Sequence, residues 1–171
     1  TAFVRLNRDT YQQQVADALV VLRKAKAEFE SSGYEVETVR ITTQPLAELV
    51  AGLSEAQALA FLSLLDQLSV KENFLPNVGP ASLHDTDDPA TMQLLERALS
   101  TLPHISSSAV IADEAGIHWK AIRRTAELVR HVEVVCSLVL EVGCLRRSDV
   151  AVGDGGIDAG VRRLQDRRLE R

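Results

Sequence analysis

The chain has 171 residues, 46% of them apolar, and a formal charge of −5, which is enough for one ordinary hydrophobic core and too acidic for a nucleic-acid partner gripped through its phosphates. Its two cysteines, Cys136 and Cys144, match neither a redox Cys-x-x-Cys nor a zinc knuckle, so free thiols in a reducing cytoplasm are expected. The most apolar stretch, "VEVVCSLVLEVGCL", is too short to span a bilayer and carries Glu133 and Glu141, so no membrane span is expected.

The chain opens at Thr1 on a strand-like pattern instead of a Met and a signal segment, which suggests a missing or processed start. "AFVRLN" reads as a short strand. Asp9 is placed to cap a helix whose apolar positions Tyr11, Val15, Ala18, Leu19, Leu22 and Phe29 keep helical spacing, with Gly33 as its stop. "YEVETVRIT" then alternates as a second strand, and strand, long helix and strand make a β-α-β unit with parallel strands. "TTQPLAELVAGLS" reads as a turn into a short helix with Pro45 at an early helical position. Ser54 opens a further helix, with Ala58, Phe61, Leu62, Leu65 and Leu68 inward and Glu55, Asp66 and Gln67 toward solvent.

"FLPNVGPASLHDTDD" reads as a tight loop, with Asn77 in a left-handed turn and Gly79 restrained by Pro80. Asp88-Pro89 then starts a helix that buries Met92, Leu95, Leu99 and Leu102 and ends at Pro103. "HISSSAVIA" is a strand weakened by its serines, which bond their own backbone readily. A last helix is predicted with Ile122, Ala126, Val129 and Val132 inward and Arg123, Arg124, Glu127 and Arg130 outward. Beyond Val134 lysine disappears, and "GDGGIDAG" promises a flexible tail.

Chemistry-bearing residues gather at the strand ends. In the loop after Phe74, Asn77 and the Gly79 backbone are candidates to line a pocket. His84, Asp85, Asp87 and Asp88 are candidate metal ligands or acid/base groups, while capping and solvation explain the same residues without a ligand. In "ADEAGIHW", Asp113, Glu114 and His118 form a candidate acid/base set with Trp119 as a stacking wall; the alternative is a plain strand-to-helix turn with Trp119 in the core. Arg8 is a candidate anion holder and Thr42 a hydroxyl donor, each also ordinary turn chemistry. These loops converge only if the sheet is parallel. Phosphate-loop, nucleophile-elbow and zincin motifs are missing from the sequence, and no cofactor is indicated.

"FVRLNRD", "GYEVETVRITTQPL", "ENFLPNVGPA" and "SSAVIADEAGIHW" together resemble the N-terminal part of the uncharacterised family called domain of unknown function 711, whose fold is similar to pyruvate formate-lyase. The resemblance covers residues 1–132 and implies an α/β architecture: β-α-β units of a partial pyruvate formate-lyase-like barrel, or a largely parallel sheet, with a long helix after each of several strands. It does not imply glycyl-radical chemistry, because the matching part holds no cysteine. Residues 133–171 are expected to be a divergent tail, partly helical and then flexible, of a truncated product. A partial barrel with an unpaired edge would favour self-association. Two functions follow: a soluble protein binding a small polar metabolite at its strand-end loops, or a noncatalytic assembly module.

Overall fold

The structure, a computed structural model, describes residues 1–143, and the side chains of residues 1–132. Thr1–Cys136 form one compact unit. The "GDGGIDAG" stretch lies outside the described residues. In chain order the elements are β1 (Ala2–Phe3), α1 (Tyr11–Ser31), β2 (Arg40–Pro45), α2 (Leu46–Leu49), α3 (Glu55–Glu72), β3 (Leu75–Gly79), α4 (Pro89–Thr101), β4 (Ala112–Asp113), β5 (Gly116–Ile117) and α5 (Trp119–Gly143). The first three strands form a parallel sheet in the order β1-β2-β3, with Phe3, Thr42 and Asn77 in one register row. The mixed α/β class and the parallel β-α-β unit expected from the sequence are both present.

Pairing continues past β3. Val78 N–H donates to Ser106 O at 2.8 Å, Ser106 N–H to Pro76 O at 3.0 Å and Ala81 N–H to Ser108 O at 2.9 Å, so residues 105–110 run beside β3 in parallel. A regular strand was expected here, and only one bridge forms. The Ser106 hydroxyl bonds Pro76 O and the Ser107 hydroxyl bonds Gly79 O, so serine side chains supply contacts that a regular ladder would draw from the backbone.

Alternation along the strands gives the sheet two different faces. Ile41, Thr43, Pro76 and Val78 are buried, and Ile41 and Val78 join one continuous core with Val15 and Leu19 of α1, Leu62 and Leu65 of α3, Met92, Leu95 and Ala98 of α4, and Leu128 of α5. A fully buried side chain such as Leu62 contributes about 1.5–3 kcal/mol relative to exposure. The other face, carrying Phe3, Arg40, Thr42, Leu75 and Asn77, is more accessible, and Phe3 is 83% exposed.

Several local expectations change. Tyr34–Val39 is not strand: Tyr34 N–H returns to Phe29 O and its ring meets Phe29 edge-on, holding the chain against the end of α1 until Arg40. Thr42–Pro45 therefore belongs to β2 instead of following it. Phe74–Pro80 is largely strand, not tight loop, and the left-handed residue is Asn73, φ 53°, at the end of α3, not Asn77. Asp9 does not cap α1. Its own N–H is taken by the Asn7 side chain, and Thr10 stands at the N-cap without a side-chain bond. Asp66 faces inward because it accepts the His104 N–H at 3.0 Å. In α5 the inward positions are Ala121, Leu128 and Val132, whereas Ala126 and Val129 are exposed. Ser54 and Asp88 cap α3 and α4 as expected, Ser54 within a capping box with Gln57.

Candidate functional site

Because the strands are parallel, the loops after β3 and after residues 105–110 leave the sheet at the same end. The first loop is closed by Asp87, whose Oδ2 accepts the Leu83 and His84 N–H groups at 2.5 and 2.9 Å. That turn leaves the His84 ring 61% exposed, with Nδ1 3.6 Å from Asp87 Oδ1. Asp85 reaches across to α5, its Oδ1 accepting the Ala121 N–H at 3.0 Å, and Arg124 returns a bond to Asp87 O at 3.2 Å. The loop is thus fastened at both ends of a short polar run.

The second loop is a two-stranded hairpin, β4 against β5, turning at Glu114 and Ala115. Asp113 Oδ1 accepts the Ala115 N–H at 2.8 Å, and Gly116 takes φ 130°, a conformation costly for any side chain. His118 closes the hairpin base. Its N–H donates to Ile111 O at 2.9 Å, Nδ1 lies 3.3 Å from Val110 O and Nε2 lies 3.2 Å from Asp113 Oδ2. Both ring nitrogens thus face oxygen atoms of the hairpin and its approach, and the residue is buried. The His84 and His118 rings lie 6.0 Å apart, which joins the two loops into one polar cluster.

Three aspartates of this cluster ionise more readily than usual. For Asp85, burial works upward, but the Ala121 and Lys120 N–H groups and the His118 and Lys120 charges outweigh it and lower the pKa. In Asp87 burial is likewise overcome by the His84 and Leu83 N–H groups and the His84 ring. Asp113 is lowered chiefly by the Ala115 N–H, against burial, with His118 and Gly116 assisting. Each is held as the carboxylate.

The sequence candidates separate into groups. His84, Asp113 and His118 come together. Glu114 is exposed at the hairpin turn, with no side-chain polar contact among the described residues. Trp119 is 68% exposed, so it does not fill the core. Thr42 and Asn77 are register neighbours on the accessible sheet face, where Asn77 Oδ1 is buried without a hydrogen-bond partner. Gly79 has its N–H on Thr43 Oγ1 at 3.0 Å and its carbonyl on the Ser107 hydroxyl, so its backbone is committed to the sheet and not open to a ligand. Arg8 donates Nη1 to Leu49 O at 3.2 Å and Ala51 O at 2.8 Å, beside the end of α2. Among the described residues no three His, Cys, Asp or Glu side chains converge as a metal-binding group. Sequence reasoning missed Ser82, which is buried, with its hydroxyl on His84 O and its carbonyl on Val110 N–H, and missed Arg5. The Ser-Leu-His spacing carries no signal for such a tie, whereas Arg5 and Arg8 lie three apart beside the first strand end and were open to notice.

The family described as "Uncharacterised ACR (DUF711)" matches residues 2–151, and the chain belongs to that family. The match runs to residue 151, past Val132, where the resemblance read from the sequence motifs ends. No curated protein and no solved structure matches the chain significantly. Among the described residues no helix is long and apolar enough to cross a membrane.

Proposed function

We propose that this member of the DUF711 family binds a small polar metabolite at the C-terminal end of its parallel sheet, with His84 exchanging a proton with the ligand. One observation carries the reading: an exposed imidazole backed on Nδ1 by an ionised aspartate, leaving Nε2 to face a ligand. His118, whose two nitrogens are already engaged, positions the hairpin wall and acts on the ligand only through that wall. Glu114 on the hairpin turn is the one acid of the original set left unengaged. A cytoplasmic setting fits this reading.

The finer fold, part of a pyruvate formate-lyase-like barrel, is supported by the placement of the helices. Each of α1, α3, α4 and α5 contributes buried residues to the core on one sheet face, as the outer helices of a barrel do, and the polar row Thr42, Asn77 and Ser106 would line the interior.

The test is a titration of the isotope-labelled protein with a panel of hydroxy acids and sugar phosphates, read by amide shifts. Saturable shifts over Leu83–Asp87, lost in His84→Gln with unchanged thermal stability, support the reading. A panel without shifts, or binding retained in His84→Gln, removes it.

A second reading, an assembly module, is favoured by the accessible sheet face. Parallel sheets are ordinarily covered on both faces, and Phe3 is 83% exposed on this one, so a second copy laid there would bury it. Sedimentation at rising concentration decides: a growing mass that Phe3→Lys abolishes supports the module, and a constant monomer mass excludes it.

A further inference from the structure

The chain leaving β1 is pinned before it reaches α1. Gln44 Oε1 accepts the Leu6 N–H at 2.9 Å and Gln44 Nε2 donates to Leu6 O at 2.8 Å, while Gln14 accepts the Asn7 N–H at 2.7 Å and donates to Arg5 O at 3.0 Å. Two glutamine side chains thereby fix a segment that has no ladder partner of its own. The fixed segment forms one wall of a cleft of about 530 Å³ at the C-terminal ends of β1 and β2, lined by Arg5, Asn7, Arg8, Asp9, Gln44 and Glu48. Its volume lies in the range that holds small-molecule ligands, roughly 300–1,000 Å³. In the sheet order it lies toward the β1 edge, away from the His84 hairpin side.

The two arginines are arranged differently. Arg8 spends one terminal nitrogen on Leu49 O and Ala51 O, which anchors the guanidinium and leaves its Nε and Nη2 groups without a partner among the described residues. Arg5 is held by a carboxylate, Nη2 to Glu48 Oε2 at 2.9 Å, with 79% of its side chain exposed. An exposed pair of this kind exchanges partners readily, because water screens most of its attraction. With Glu48 turned to solvent, two guanidiniums face one carboxylate, Asp9, on the cleft wall.

We infer that this cleft binds a small oxyanion, a carboxylate or a phosphate, between Arg5 and Arg8, and that Glu48 occupies Arg5 as an internal competitor until the ligand displaces it. Planar guanidinium forks suit both anions, and the glutamine-pinned backbone keeps the ordering cost of binding low. Nothing in this inference requires His84, so the two sites stand or fall separately.

The intact chain is titrated with inorganic phosphate and, separately, with acetate at constant ionic strength, following the amides of Arg5–Asp9 and the arginine Nε–H signals in wild type, Arg5→Gln, Glu48→Gln and His84→Gln. Saturable shifts are expected. Glu48→Gln should tighten binding roughly two- to fivefold, the range an exposed ion pair is worth, Arg5→Gln should weaken it by at least as much, and His84→Gln should leave it unchanged. Saturation by phosphate alone identifies a phosphate ligand, and by acetate alone a carboxylate; either supports the cleft. Shifts that rise linearly with both anions overturn it, as does equal affinity in wild type and Glu48→Gln, which would deny the exchange. Loss of binding in His84→Gln overturns the separateness of the two sites.

Discussion

The Asp113 carboxylate, at the end of β4, meets the ring of His118, the residue that follows β5, at 3.2 Å. With Nδ1 on Val110 O, the ring joins the last turn of the hairpin to the segment paired with β3. A two-stranded ribbon this short has little stability of its own, so its geometry depends on the histidine.

His118→Phe keeps an aromatic ring in the buried position and removes both polar contacts. The expected cost is about 0.5–1.5 kcal/mol, the net worth of the hydrogen bond lost between the buried ring and the partly exposed Val110 carbonyl, visible as a lower urea midpoint. Amide exchange should accelerate at Gly116 and residue 118 while the amides of Leu62 and Leu65 in α3 keep their protection relative to the global transition. Uniform acceleration across the chain would show that the hairpin is not a separate unit.

The three cluster aspartates predict an acid-side transition. Asp85, Asp87 and Asp113 are all lowered from the ordinary value of 3.8 in the folded protein, so between the folded and unfolded values the unfolded chain binds more protons. Their contribution is complete above the unfolded value and is lost as pH falls through the lower folded values. Urea midpoints should therefore show no dependence on these groups between about pH 7 and pH 5 and should decline below about pH 4. Asp87→Asn should make that decline shallower. An acid slope identical to wild type would place the proton uptake elsewhere.

How far the sequence reveals this molecule depends on the range of the forces at work. The caps at Ser54 and Asp88 and the inward stripe of α3 rest on neighbours a few residues apart and are legible. The parallel β-α-β unit, which pairs Ala2 with Ile41, is legible because a strand, a long helix and a second strand favour one crossover geometry. Asp66 reads as solvent-facing because its partner, the His104 N–H, lies 38 positions away. Pro76 and Asn77 read as loop residues because a proline suits a turn. Yet the pairing toward Ser106 begins with the Pro76 carbonyl, so its absent N–H leaves that contact intact. At the site, the nearness of His84 and His118 follows from the parallel sheet, whereas the engagement of both His118 nitrogens arises from loop contacts that no sequence pattern encodes.

The capping box of α3 offers a local test. Ser54 accepts the Gln57 N–H at 3.3 Å while Gln57 Oε1 accepts the Ser54 N–H at 2.9 Å, so two otherwise unpaired helix-end donors are satisfied. Ser54→Ala should cost about 1 kcal/mol in urea unfolding. Ser54→Asp should recover most of it. Failure of the aspartate to rescue would indicate that the serine acts through packing and not through its cap.

Gly79 provides the sharpest backbone test. A Cβ built at this position would lie 2.3 Å from Gln44 O and 2.6 Å from Thr43 O, and both obstacles are main chain of the neighbouring strand. This close approach occurs where the β2–β3 register shifts between Thr42 and Pro45, with Thr43 Oγ1 accepting the Gly79 N–H and donating to Gln44 O. The strand cannot retreat without breaking those bonds, and Leu46 N–H on Pro80 O ties the same place to α2. Gly79→Ala should therefore destabilise by about 3 kcal/mol or more, the upper part of the range for forced overpacking. Thr43→Val, which removes the hydroxyl and keeps the shape, should cost about 1–2 kcal/mol as the Gly79 N–H loses its acceptor. Because both changes act through the same shifted register, the double variant should cost less than the sum of the two. Simple additivity in urea unfolding would mean that the close approach and the threonine bond are independent features.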